Sequence, residues 1–333
     1  MAKAHTEDGV PLLIDHVDHV DPAIAPALSR WLHPDGAPWG TDPDAWDPSH
    51  VQSVKRRLDG WFGPRRYFRV STSGWEHLPP APALIVSNHS GGTTVLDGMG
   101  FGHAWYHRFG ALERPLHGLV HDMLFTNALT GPFFANLGCL RASKALARRV
   151  LGELRRDMIV FPGGDQDTWR PFRDRYRVRF AGRTGYARMA LALGIPVVPL
   201  AHAGAQETFV VLGSGRRIAR AVGLHRLARA EIWPVHLSLP WGLAVGPFPH
   251  VPLPARLDYR LGPAVPFPPG ARPGHPPTRD QVLAYDREVR AAIQSLLDQL
   301  RDARRARRSQ SSAWFGRAPA QARYGWNSNA PTS

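Results

Sequence analysis

Along the chain, short hydrophobic runs alternate with amphipathic stretches. Residues 49–63 carry helical spacing and stop near Gly63-Pro64. Tyr67 to Thr72 alternates with the period of a strand, and Ala83 to Val86 is an apolar run bounded by Pro82 and Asn88, the pattern of a buried strand. The spacing then predicts a helix from about Asp97 to Phe109, a strand over Leu116 to Val120 and a helix over 122–136. Ser143 is placed as the N-cap of a helix whose Leu146, Val150, Leu151 and Leu154 share one face. Met158 to Phe161 reads as a strand running into Pro162-Gly163-Gly164, Gly185 to Leu193 as a helix, and Ile195 to Leu200 as a strand. Residues 216–255 are Pro-rich and apolar without a clear period, and Leu257 to Leu261 is the last strand candidate. Thr278-Arg279-Asp280-Gln281 has the spacing of a capping box and opens a helix with Val282, Val289, Ile293, Leu296, Leu297 and Leu300 on one side.

Strands alternating with helices argue an α/β fold, one domain with a largely parallel central sheet flanked by helices. The expected boundaries are an irregular extension over 1–48, holding one short helix near Ile24 to Leu32, the domain over 49–303, and a basic, disordered tail over 304–333. Sites in such sheets gather at the carboxyl ends of strands, which directs attention to Ser87–Asp97 and Pro162–Pro171.

Composition narrows this little. The net charge is +14, and the stretch from Arg301 onward is a basic end that suits anionic lipid, nucleic acid or no partner at all. No nucleic-acid motif accompanies it, so none is expected as a partner. Cys139 is the single cysteine, which fits a reducing compartment and leaves no disulfide framework. The start of the chain lacks the apolar core of a signal peptide, and the longest stretch without Lys, Arg, Asp or Glu, Ile232 to Ala255, holds too many prolines for a membrane-spanning helix.

Candidate chemistry sits in the two loops. His89 directly follows a buried strand and precedes Gly91-Gly92, with Asp97 eight residues on. If the loop folds back, Asp97 accepts the Nδ1–H of His89 and leaves Nε2 to take a proton, while loop N–H groups at Gly91 and Gly92 face an oxyanion. The alternative is a histidine that merely caps a loop. The second loop reads Phe161-Pro162-Gly163-Gly164-Asp165-Gln166-Asp167-Thr168-Trp169-Arg170-Pro171, a sharp turn followed by polar residues.

The run Val86-Ser87-Asn88-His89-Ser90-Gly91-Gly92 … Leu96-Asp97-Gly98 resembles the first motif of the glycerolipid (lysophospholipid) acyltransferase family, which includes 1-acylglycerol-3-phosphate acyltransferases, and is nearest the branch of monoacylglycerol and diacylglycerol acyltransferases. In the commonest form four residues separate His from Asp; here seven do, and Thr94 stands at the shorter spacing. Gly138-Cys139-Leu140-Arg141-Ala142-Ser143 resembles the second motif, the Pro-Gly-Gly loop the third, with Gly163 replacing a more common Glu, and Val197 to Gly204 the fourth, read as scaffold.

The resemblance implies an acyltransferase-type α/β domain. His89 and Asp97 would be catalytic, and Asn88, Gly91, Gly92, Arg141, Gly163, Gly164, Asp165, Asp167 and Arg170 would bind substrate. The reaction implied moves a fatty acyl group from acyl-CoA or acyl carrier protein to a glycerolipid or lysophospholipid hydroxyl. Acyl-CoA is a co-substrate, with no cofactor and no metal. Lipid substrates imply peripheral contact with an anionic membrane surface, on the cytoplasmic side. Trp233 and Trp241 in the Pro-rich region, flanked by Arg216, Arg217, Arg220, Arg226 and Arg229, suit such an interface; packing over the domain is the alternative. Competing readings are a lipid hydrolase using Ser90, which lacks a Gly-x-Ser-x-Gly elbow, a metal site at His117, His121 and Asp122, and a non-catalytic basic lipid-binding protein.

Overall fold

A computed structural model describes residues 39–125, 127–213, 215, 234–246 and 250–316, except the side chains of Thr93, Met123, Asp165 and residues 311–316. In chain order its principal elements are α1 (Pro48–Leu58), β1 (Phe62–Gly63), β2 (Phe68–Ser73), β3 (Leu84–Ser87), α2 (Leu96–Phe109), β4 (Leu116–Val120), α3 (Thr130–Asn136), β5 (Cys139–Arg141) and α4 (Lys144–Arg148). Then come β6 (Asp157–Val160), α5 (Gly164–Thr168), α6 (Gly185–Leu193), β7 (Val197–Ala203), β8 (Val210–Gly213), β9 (Val235–Ser238), β10 (Gly242–Val245), β11 (Ala255–Leu261) and α7 (Arg279–Gly316).

Eight strands form one sheet in the order β1-β2-β11-β7-β3-β6-β4-β5. Every pairing in it is parallel except β11 with β7. The expected α/β class and mostly parallel sheet are therefore what the chain adopts. Successive side chains of a strand point to opposite faces, and the two hydrophobic layers follow from that. Leu84 and Val86 of β3 join Met158, Val160 and Val197 in a layer under α6 and α7. Ile85, between them, joins Val198, Leu200 and Leu257 in a layer under α1 and α2, with Phe101 and Trp105. Val282, Tyr285, Val289 and Ile293 lie at helical spacing along α7 and are fully buried; each such burial is worth about 1.5–3 kcal/mol.

Several expected elements differ. The first helix ends at Leu58 rather than near Gly63, because Phe62 and Gly63 pair with Phe68 and Arg69 as β1. The helix expected over 122–136 is split into a 3₁₀ turn, Asp122–Phe125, and α3. Asn127 separates them: its Oδ1 accepts the N–H groups of Leu129 (3.0 Å) and Thr130 (2.9 Å) and starts a fresh helix. Ser143 does cap α4, but the helix passes into a π turn over Arg149–Glu153.

The Pro-rich stretch expected to be irregular contains β9 and β10, which form with β8 a second, antiparallel sheet in the order β10-β9-β8. Its alternation is inverted: His236 and Ser238 point inward and are buried, while Leu237 points out. The flanking arginines, Trp233 and the expected helix near Ile24 to Leu32 lie outside the described residues.

The boundary expected at residue 304 is also not where order ends. Helix α7 continues to Gly316. Arg304, only 6% exposed, reaches Asp258 (2.6 Å) and Glu207 (2.5 Å); Arg307 reaches Asp258 (2.7 Å) and Arg308 reaches Glu207 (3.0 Å). These arginines clamp α7 to β11 and to the turn after β7, so part of the basic end is matched by acids of the chain itself.

Candidate active site

Three neighbouring strands at the centre of the sheet, β7, β3 and β6, run parallel and end on the same side. Each delivers a group to one place. After β3, Ser87 is followed by Asn88 and His89. After β6 comes the Pro-Gly-Gly turn and the short helix α5. At the end of β7 stands His202.

His89 Nδ1 lies 2.5 Å from Asp97 Oδ2. Asp97 is buried at the start of α2, and both its oxygens are engaged: Oδ2 also accepts from Ser90 N (2.9 Å), and Oδ1 accepts from Gly98 N (2.9 Å). The carboxylate therefore fixes the Nδ1–H tautomer and leaves Nε2 as the basic nitrogen. The side chain of His89 is 16% exposed, enough for a reacting group to reach it, and its ring lies 4.7 Å from that of Phe161. Burial alone works against a charged imidazole here, but the Asp97 carboxylate outweighs it and holds the His89 pKa above its ordinary value. Burial likewise opposes ionisation of Asp97, yet His89 holds that carboxyl below the usual range.

The long His–Asp spacing is absorbed by a left-handed turn. Gly91 (φ 99°), Gly92 (φ 63°) and Val95 (φ 43°) all have positive φ, and a 3₁₀ turn over Gly92–Thr94 lies between them. Positive φ strains a β-branched residue such as Val95. Space as well as φ requires glycine at position 92, where a Cβ would sit 2.7 Å from the Phe209 ring. Thr94, at the position the commoner spacing would give to Asp, instead donates to Gly91 O (2.8 Å) and closes the turn.

The second loop holds the first. Asp167 Oδ2 accepts His89 N (2.6 Å), and Asp167 Oδ1 is bonded by Arg170 Nη1. Arg170 also donates to Arg177 O (2.6 Å), Arg175 O (3.4 Å) and His89 O (3.5 Å). Both side chains are fully buried. Asp167 and Arg170, expected at the substrate, thus face the backbone of the loop that carries His89.

Asn88 is corrected in the same way. It is buried and exchanges two 3.0 Å bonds with the backbone of His202, stapling β3 to β7. Gly163 stands where the family more often has Glu, and no side chain fits: a Cβ would lie 2.4 Å from Arg179 O and 2.2 Å from Asp167 Cβ. Gly164 (φ 48°) is held under Arg183, whose Nη1 donates to Gly163 O (2.8 Å). The Asp165 side chain lies outside the described residues. Arg141 is at the end of β5, three strands from β3, roughly 14 Å across the sheet. There it donates to Trp39 O (2.9 Å), lies 3.1 Å from Asp122 and stacks on Phe125.

Sequence reasoning passed over His202. Its Nε2 is 2.5 Å from Ser90 Oγ and 3.6 Å from Asp97 Oδ2, and burial pushes its pKa down to about 4. A neutral histidine thus packs behind the His89–Asp97 pair, and Tyr259 donates to Asp97 O (3.0 Å) beside it. Ser90, His202 and Asp97 are not a hydrolytic triad. The acid lies on the same ring nitrogen as the serine rather than on Nδ1, and Ser90 has no exposed surface. The signal in the sequence was a histidine near the end of an otherwise apolar strand. His117, from the metal alternative, is a buried strand residue bonded to Gly138 O (3.2 Å).

Residues 69–203, which include both loops and β7, match the family model described as Acyltransferase. An uncharacterised protein of Mycobacterium tuberculosis is 31% identical over 243 residues, covering 72% of this chain and 63% of its own length. One from Mycobacterium leprae is 30% identical over 260 residues, covering 77% and 65%. The chain thus spans under two thirds of the length of these curated relatives. The crystal structure of PlsC, the 1-acyl-sn-glycerophosphate (LPA) acyltransferase of Thermotoga maritima, aligns at 16% identity and a TM-score of 0.42, covering 76% of this chain and 78% of that one. Residues 69–203 of this chain thus match the acyltransferase family model, and both loops of the site fall within that match.

Proposed function

We propose that the chain is an O-acyltransferase that moves a fatty acyl group from an acyl thioester, of coenzyme A or acyl carrier protein, to a hydroxyl of a glycerolipid or lysophospholipid. The observation that carries this reading is the His89–Asp97 pair at the carboxyl end of a central strand, inside the region matched to the family. The Nε2 of His89 takes the proton of the acceptor hydroxyl as its oxygen attacks the thioester carbonyl carbon. The backbone N–H groups of the Gly91-Gly92 turn are the candidate donors to the resulting oxyanion. The carbon–sulfur bond breaks, the thiolate leaves and takes up a proton, and no acyl-enzyme forms. The test is transfer from labelled long-chain acyl-CoA to a panel of lysophospholipid and acylglycerol acceptors by purified protein. Acylated lipid with stoichiometric thiol release is the expected result; thiol release without acylated lipid would indicate a hydrolase.

The proposal includes peripheral seating on the inner face of the cell membrane. No helix among the described residues is long and apolar enough to cross one. Support for the seating comes from the second sheet. Leu237 is paired with Leu243 and Val235 with Val245, so these four share one face, and Leu237, Leu243 and Val245 are exposed. Trp241, at the turn, and Leu239 add to this apolar surface. Phe209, just before β8, packs against Trp169 (5.6 Å) and under Gly92, which ties the surface to the site. An apolar face beside a lipid-handling site suits an interface. Trp241→Asp with Leu243→Asp is expected to lower the fraction bound to anionic phospholipid vesicles several-fold in flotation, with transfer to a soluble short-chain acceptor retained. Unchanged flotation would remove this sheet from the membrane contact.

A further inference from the structure

The sequence reading expects no metal, and the site just described supplies no cluster suited to one. A different cluster does, on the face of α2 turned toward α1. His103 and His107 are one helical turn apart on α2 and therefore share a face. Asp59, the residue that ends α1, comes up to meet them. Its Oδ1 lies 2.8 Å from His103 Nε2 and 3.5 Å from His107 Nε2. One ligand atom from each of the three residues falls within 4.8 Å of the other two.

We infer that Asp59, His103 and His107 form a binding site for a divalent transition-metal ion of the zinc type. Two imidazoles and one carboxylate are a donor set for such an ion, with a fourth position left for water or another ligand. Tetrahedral bonds of about 2.05 Å separate neighbouring donor atoms by about 3.3 Å. The separations of 2.8 and 3.5 Å from the shared carboxylate oxygen bracket that distance. A hydrogen bond accounts for His103 with Asp59, but not for the second imidazole, which at 3.5 Å from the same oxygen lies past the usual limit of about 3.2 Å. Lys55 Nζ donates to both carboxylate oxygens, 3.2 Å from Oδ2 and 3.4 Å from Oδ1, and so orients the carboxylate; an ion on Oδ1 would displace the longer of the two bonds. The imidazoles have different surroundings. His103 is buried, 5.7 Å from the Phe62 ring, whereas His107 is exposed at the rim. The fourth position opens into a groove bordered by Arg65, Arg66 and Arg108, which favours an anionic or neutral ligand there. An ion at this place would join the end of α1 to the helix whose first turn carries Asp97.

The experiment uses the full chain, stripped with chelator, titrated with zinc chloride by calorimetry and with cobalt(II) by visible absorption. The expected result is one equivalent of zinc held at this site, a tetrahedral cobalt spectrum, and a rise in Tm on zinc addition. His107→Asn alters an exposed side chain, so its fold is retained, and it is expected to weaken zinc affinity at least tenfold and abolish the Tm rise. His89→Ala is expected to bind zinc like the parent. Equal zinc binding by His107→Asn and the parent, absence of binding to the parent, or loss of binding in His89→Ala would each overturn the assignment.

Discussion

Replacing His89 by alanine is expected to lower acyl transfer by on the order of 10²–10⁴-fold, the usual contribution of a positioned general base, in a protein that still folds. The side chain is partly exposed, and its loop is held mainly through the backbone, at His89 N and His89 O. Asp97→Asn should also cost transfer. An amide carries no charge to stabilise the imidazolium, and it can present N–H₂ to Nδ1 and so favour the wrong tautomer. The pH profile follows from the same geometry. A base works only when neutral, and Asp97 holds the His89 pKa above its ordinary value. The rate should therefore rise with pH through a midpoint above that of a free histidine, and Asp97→Asn should shift this midpoint downward. Steady-state rates between pH 5 and 9 decide the matter. A full rate in His89→Ala, or a midpoint unmoved in Asp97→Asn, would remove His89 from the chemistry.

Arg170→Ala is expected to be the most destabilising change near the site. The guanidinium is fully buried, pairs with the equally buried Asp167 and donates to carbonyls of Arg175, Arg177 and His89. Its removal strands a buried carboxylate, and breaking such a pair from one side costs about 3–5 kcal/mol. Asp167→Asn should cost less: it leaves the Arg170 cation without its counter-charge, but that guanidinium keeps the carbonyls of Arg175, Arg177 and His89 as partners, and the amide oxygen can still accept His89 N. Urea unfolding of both variants tests the order. A loss below about 1 kcal/mol for Arg170→Ala would mean that the pair does not hold the loop.

The first-motif histidine and its acid were legible because they are close in sequence and follow a readable strand. The way seven intervening residues bring them into contact was not, since no periodicity announces a left-handed valine at position 95. Asn88, Asp167 and Arg170 were recognisable as site residues but not as inward-facing ones. Polarity in a sequence does not distinguish a group that meets substrate from one that meets the backbone of a neighbouring loop. The second sheet was hidden because strand detection assumes apolar residues inside, and here His236 and Ser238 are buried while Leu237 is not. Arg304 was assigned to a disordered tail because its partners, Glu207 and Asp258, are supplied by distant segments. Asp59 and His103 likewise lie 44 residues apart on two helices, and only the packing of α1 on α2 joins them.

The bonds that hold His89 have a consequence for biosynthesis. His89 N is tied to a residue 78 positions later, and Ser90 to one 112 positions later. A nascent chain that has emerged only as far as β5 already contains His89 and Asp97, but none of Asp167, Arg170 or His202. Nor can β3 yet have its neighbours on either side, β6 and β7. The His89–Asp97 pair is thus translated early and secured late. On the ribosome, a competent site can arise only once the central strands have closed around it.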